Sequence, residues 1–97
     1  MTQQSEKYIE RKLVEAVKGC GGMCIKLLCD QLIGLPDRLC LFPGHKIAFV
    51  EVKTTGQKPR KIQQFMHEKL RSLGFKVKVI DTVEDIAIFI SSILSDE

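Results

Sequence analysis

Leu35-Pro36-Asp37-Arg38-Leu39-Cys40-Leu41-Phe42-Pro43-Gly44-His45-Lys46-Ile47-Ala48-Phe49-Val50-Glu51-Val52-Lys53 reads as strand, turn, strand. Two apolar runs rich in strand formers are separated by Pro-Gly-His, the punctuation of a hairpin. With those three residues as the turn, Phe42 pairs with Lys46. Counting back, Asp37 then stands opposite Glu51, with Cβ atoms about 4.5 to 5.5 Å apart. Two like charges so placed repel, and a divalent cation removes the penalty. Mg²⁺ in particular takes one or two carboxylates together with waters and phosphate oxygens. The strand period of two puts Lys53 on the face of Glu51 and turns the Val52 side chain away, leaving the Val52 carbonyl as a third ligand. Two carboxylates, a carbonyl and an amine are what metal-assisted phosphodiester hydrolysis requires: ligands for the cation, and a cation to orient the nucleophile or offset developing charge.

The hairpin strands are apolar on both faces, with Ile47 and Phe49 beside Glu51 and Ala48, Val50 and Val52 opposite, so layers are expected above and below. Upstream, residues 5 to 18 have helical periodicity through Tyr8 or Ile9, Leu13, Val14 and Val17, and Gly19 stops them. Gly21-Gly22 opens a strand predicted over Met23 to Cys29, followed by a connector from Asp30 to Pro36. Downstream, Thr54 to Lys58 is a polar link. Pro59 suits the first turn of a helix reaching about Leu73, with the stripe Ile62, Phe65, Met66, Leu70 and Leu73. Lys76 to Ile80 alternates basic and apolar residues, a strand with one wet side. Thr82 and Asp85 cap a last helix carrying Val83, Ile86, Ala87, Ile90, Ile93 and Leu94. The expected order is αβββαβα, an α/β fold with a mixed sheet flanked by helices. A right-handed crossover makes the last strand parallel to the Glu51 strand.

Charge is divided along the chain. All 15 Lys and Arg lie at or before residue 78 with seven acids, giving residues 1–80 a net +8; the remaining stretch carries five acids and no base. A basic working surface for a polyanion, with an acidic helix kept apart from it, follows. Lys58, Arg60 and Lys61, directly after the Glu51 strand, are the residues placed to hold a nucleic-acid backbone. Phosphate contacts position without reading bases, and few residues are left over for base readout. A single domain over 1–97 is expected. No apolar run is long enough to span a bilayer and the N-terminus has no signal-peptide core, so a cytoplasmic protein is expected. Cys20, Cys24, Cys29 and Cys40 lack paired zinc spacings and read as reduced, buried residues. His45 and His67 read as surface residues.

Together these segments resemble the PD-(D/E)xK nuclease superfamily, and within it the standalone form of the VRR-NUC (virus-type replication-repair nuclease) family. The matching residues are Ile9-Glu10, Gly21-Gly22, Lys26, Gly34-Leu35-Pro36-Asp37-Arg38, Phe49-Val50-Glu51-Val52-Lys53, Gln63, Leu70 and Gly74. The resemblance implies a restriction-endonuclease-like core and an Mg²⁺- or Mn²⁺-dependent DNA endonuclease, similar to archaeal Holliday junction resolvases, acting on branched DNA as a homodimer. It implies Asp37, Glu51 and the Val52 carbonyl as metal ligands, joined by Glu10, with Lys53 as the catalytic lysine, Gln63 near the substrate phosphate and Lys26 as a phosphate contact. Glu6 lies one turn before Glu10 on the same face and can exchange roles with it. Of Gln63 and Gln64, about 100° apart on the helix, only one can face the site. A two-fold dimer would give a branched substrate two sites at a fixed separation; the last helix and the strand Lys76 to Ile80 are candidate dimer surfaces. A nuclease without structural preference, cutting flaps, single strands or duplex, and a non-catalytic nucleic-acid binding module are the alternatives.

Overall fold

A computed structural model describes residues 3–96. Ser5 opens α1 (Glu6–Gly19) by accepting the Tyr8 amide at its hydroxyl, an N-cap that satisfies one of the helix's orphan donors. Strands β1 (Met23–Lys26), β2 (Arg38–Phe42) and β3 (Lys46–Val52) follow as an antiparallel meander; α2 (Lys61–Ser72) then crosses to β4 (Lys76–Ile80), and α3 (Glu84–Leu94) ends the chain. The sheet order is β1-β2-β3-β4, with β4 parallel to β3. The hairpin register is the expected one: Phe42 pairs with Lys46 and Arg38 with Val50. Gly44 and His45 both take positive φ in the turn, a conformation glycine adopts freely and histidine rarely.

Alternation divides the sheet into two unlike faces. Ala48, Val50 and Val52 are fully buried with Cys40, Phe42 and Ile80 against Ile9, Leu13 and Val17 of α1 and Ile86, Phe89, Ile90 and Ile93 of α3. This is the core, and it consumes the stripe of α3 that the sequence offers as a dimer surface. Phe89, absent from the expected stripe, is part of it, while Ala87 and Leu94 are exposed. The opposite face, carrying Phe49 and Glu51, is partly covered by α2 and the residues that follow it. Phe49 meets Phe75 edge to face there, with ring centroids 5.6 Å apart.

Four expectations need correction, the first being that all four cysteines are buried: Cys29 is exposed and Cys20 and Cys24 are half-buried. β1 ends at Lys26, not Cys29: after Leu27 N donates to Asp37 O at 2.9 Å the chain leaves the sheet, and Leu28, Cys29, Leu32 and Ile33 are exposed in the connector. The second helix begins at Lys61, with Pro59 and Arg60 before it, and its apolar stripe does not face the core. Ile62, Phe65 and Leu73 are exposed, and the buried residues of α2 are Gln63 and His67. A helix normally turns its apolar stripe inward; here the inward face lies over the buried carboxyl of Glu51 and has to supply hydrogen-bond donors to it. His67, expected at the surface, is 2 % exposed.

Gly34 fixes how the connector meets α2. Its φ is +89°, and a Cβ there would lie 2.6 Å from the Ile62 carbonyl oxygen. Gly34→Ala is therefore expected to lose about 2 kcal/mol or more of stability through backbone strain and overlap. Urea unfolding measures it, and an unchanged midpoint would contradict this packing.

Candidate active site

The site forms where three chain segments end together. Asp37 immediately precedes β2 at the point where the connector rejoins the sheet, and its Oδ2 accepts the Val52 amide at 2.9 Å. In a strand, one residue's N–H and C=O point to the same neighbour, so the Val52 carbonyl faces the side occupied by Asp37, just past the last β2–β3 pair. Glu51 and Lys53 project from the face under α2, where Lys53 Nζ lies 3.3 Å from Glu51 Oε2. The continuing register sets Asp37 opposite Glu51.

The start of α1 is tied to the segment after Lys53. Thr54 Oγ1 accepts the Glu6 amide at 3.3 Å, and Thr55 exchanges backbone and side-chain hydrogen bonds with Gln4. This brings Glu6 close enough for its charge to act on Glu51. Glu10 is held elsewhere: its Oε2 accepts from Arg38 Nε at 2.8 Å, on the α1 side of the sheet, because Arg38 pairs with Val50 and shares its face.

Helix α2 supplies the lid over Glu51. Gln63 Oε1 accepts the Arg60 amide at 2.7 Å and its Nε2 donates to Glu51 Oε2 at 3.0 Å. The first contact is the return half of a capping box, and it fixes which end of the amide meets the carboxylate. Gln64 faces away, its Nε2 donating to the Pro59 carbonyl at 2.9 Å. One turn along, His67 Nε2 lies 3.7 Å from Glu51 Oε1, and neither atom has a hydrogen-bond partner although both are buried.

The electrostatics follow from this crowding. Burial, and next the negative charge of Asp37, push the Glu51 carboxyl up to about 7, with a smaller push from Glu6; Lys53 opposes them and is outweighed. Burial, and then the charges of Arg71 and Lys53, hold His67 below the ordinary imidazole range, so it is neutral at physiological pH. At Glu51, burial and the neighbouring acids outweigh the single ammonium of Lys53, as they would at a site for a cation. Among the described residues no three His, Cys, Asp or Glu side chains converge on one point; the donors available here, two carboxylates and a backbone carbonyl, are all oxygen and could hold a hard divalent ion.

Lys58, Arg60 and Lys61 are exposed around the start of α2. Lys26 is exposed at the end of β1, paired with Arg38, so it belongs to the α1 face of the sheet and not to that of Glu51. Sequence reading passed over two features. His67 lies four residues after Gln63, the spacing that puts two helical residues on one face. Lys7 and Arg11 line with Arg38 a hollow of about 340 Å³ beside α1; each directly follows one of the two helix acids.

An aspartate and a glutamate facing each other at the end of a hairpin, with a lysine two residues beyond the glutamate, on an αβββαβα frame, define the restriction-endonuclease-like class of nuclease. The chain is 42% identical over 77 residues to "Putative nuclease p44" of Acyrthosiphon pisum secondary endosymbiont phage 1, covering 79% of this chain and 83% of that protein. The solved structure of a VRR_NUC domain matches with a TM-score of 0.83 and 29% identity over 91% of this chain and 97% of that one. No family model matches. The chain belongs to the VRR-NUC family of nucleases. Among the described residues no helix is long and apolar enough to cross a membrane.

Proposed function

We propose that this nuclease is an Mg²⁺- or Mn²⁺-dependent DNA endonuclease that acts on branched DNA as a homodimer. The observation that carries the metal reading is the pairing of the buried Glu51 carboxyl with Asp37, whose negative charge adds to burial in raising it and is offset by a divalent ion. Asp37, Glu51 and the Val52 carbonyl hold the ion. Glu6 is the helix acid nearest them, while Glu10 serves by fixing Arg38. The ion supplies Lewis-acid activation of water and neutralises charge at the scissile phosphate. Lys53 orients the nucleophile and stabilises the negative charge that develops on the phosphate. Gln63 keeps Glu51 from turning away. The N-termini of α1 and α2 lie beside the site, and their dipoles favour an anion. Lys58, Arg60 and Lys61 on one flank, and Lys7 and Arg11 on the other, hold the DNA backbone; Lys26 makes a more distant phosphate contact.

The homodimer is supported by the half-covered sheet face. Met23, Ile47, Phe65, Leu73 and Phe75 are all exposed there, on the adjoining helix α2 or just after it, and apolar surface left uncovered in this way marks an interaction site. A two-fold dimer through it would set two active sites at a fixed distance, as paired cuts at a branch require.

Cleavage of four-way junction, flap and linear duplex DNA, each with Mg²⁺, Mn²⁺ or EDTA, tests the proposal, with sedimentation run in parallel. The expected result is metal-dependent, paired nicking near the junction by a dimer. Equal cutting of plain duplex would remove the branch preference, and full activity in EDTA would remove the metal.

A further inference from the structure

We propose that His67 is a positioning residue for the metal centre, donating from Nε2 to Glu51 Oε1 so that both carboxylate oxygens are held and the remaining lone pair of Oε1 is available to the ion beside Asp37. The proposal rests on the metal reading of Asp37 and Glu51 given above. Its starting point is a pair of unsatisfied atoms. Glu51 Oε1 and His67 Nε2 are both buried, both without a partner, and 3.7 Å apart. Leaving a buried polar group unpaired costs about 1 to 3 kcal/mol, so two such atoms facing each other represent a contact waiting to close. A shift of less than about 1 Å brings them within hydrogen-bonding range.

The other carboxylate oxygen is already engaged. Oε2 accepts from Gln63 Nε2 at 3.0 Å and faces Lys53 Nζ at 3.3 Å. An ionised carboxylate has about four acceptor positions; Gln63 and Lys53 take those of Oε2, and a donor from His67 leaves one on Oε1. The choice of residue also requires a reason. His67 is 2 % exposed on a helix whose Phe65 and Leu73 stand in solvent, so apolar side chains were at hand for this buried position had packing alone been needed. A ring nitrogen buried in preference to them fits the pattern in which groups behind a metal ligand fix its orientation. Removing such a group typically lowers metal affinity about 10- to 100-fold.

The test measures cation binding without DNA and without turnover. Mn²⁺ affinity is determined by isothermal titration calorimetry for wild type, His67→Phe, which keeps a ring but loses the donor, and His67→Gln, which keeps a donor. The melting temperature of each is read in EDTA. His67→Phe is expected to bind Mn²⁺ at least tenfold more weakly with a metal-free melting temperature no lower than wild type, and His67→Gln to recover most of the affinity. Should His67→Phe fail to fold, His67→Leu is read in its place. Wild-type Mn²⁺ affinity in a folded variant lacking the donor overturns the role of His67 while leaving the metal site standing. Wild-type protein that takes up no Mn²⁺ overturns the metal reading itself, and the two failures are thereby distinguished.

Discussion

Glu51→Gln is expected to stabilise the metal-free protein at pH 8 by up to roughly 3 kcal/mol, although it removes the residue on which activity is proposed to depend. The folded state holds the Glu51 carboxyl near 7, against 4.5 for an ordinary glutamate, because burial and the charge of Asp37 outweigh Lys53. Below pH 4.5 the group is protonated in both states and the fold bears no penalty. Between 4.5 and 7 the unfolded chain releases the proton while the folded chain retains it, so stability falls as pH rises; above 7 the full penalty is present. Glutamine cannot ionise, and its carbonyl can still accept from Gln63 Nε2. The wild type should thus lose stability relative to Glu51→Gln across that window, which urea unfolding in EDTA at pH 5 and pH 8 measures directly. Subtracting the two proteins cancels every other titrating group that the substitution leaves undisturbed. Equal stability at pH 8 would show that the carboxylate is not strained. Mn²⁺ at 1,000 times its Kd should invert the order, since it adds about 4.1 kcal/mol to the state that binds it.

How much of this was legible in the sequence depends on which physical force settled each feature. The hairpin was legible because Pro43-Gly44-His45 sets a turn length, the turn length sets the pairing of Phe42 with Lys46, and the period of two carries that register to Asp37 and Glu51. The parallel placement of β4 followed from the handedness of crossovers. The orientation of α2 did not follow. Counting apolar residues assigns Ile62, Phe65 and Leu73 to the core, but the helix turns Gln63 and His67 inward because the carboxyl beneath them needs donors. That demand comes from a residue ten or more positions upstream, which periodicity within the helix cannot register. The connector misled in another way. Leu27 and Leu28 extend an apolar run that looks like strand, whereas the chain has to leave the sheet to return at Pro36. Glu6 and Glu10 could not be separated by spacing at all. What distinguishes them is Arg38, whose side chain reaches Glu10 across the α1 face, together with the threonine contacts that draw the first turn of α1 toward Lys53.

Asp37→Asn is expected to abolish cleavage by a factor of about 10³ or more while leaving the fold intact. The asparagine carbonyl can still accept the Val52 amide that Asp37 Oδ2 accepts at 2.9 Å, so the end of the hairpin stays joined, and only the negative charge is lost. Two readouts then separate the roles of the charges. Removing the Asp37 charge should lower the Glu51 pKa from about 7 toward the ordinary range, because Asp37 is the second largest influence raising it; NMR titration of the Glu51 side chain in metal-free protein follows this. It should also weaken Mn²⁺ binding, since one of the two carboxylates is gone. Lys53→Met predicts a different pattern: cleavage falls about 10²- to 10³-fold, Mn²⁺ is still bound, and the Glu51 pKa rises because the ammonium that opposes its burial has been removed. A site built from a ligand pair and a separate amine has to respond in these two distinguishable ways. Identical effects of the two substitutions on Mn²⁺ affinity would mean that Lys53 and Asp37 do not divide the work as their positions on the two strands imply.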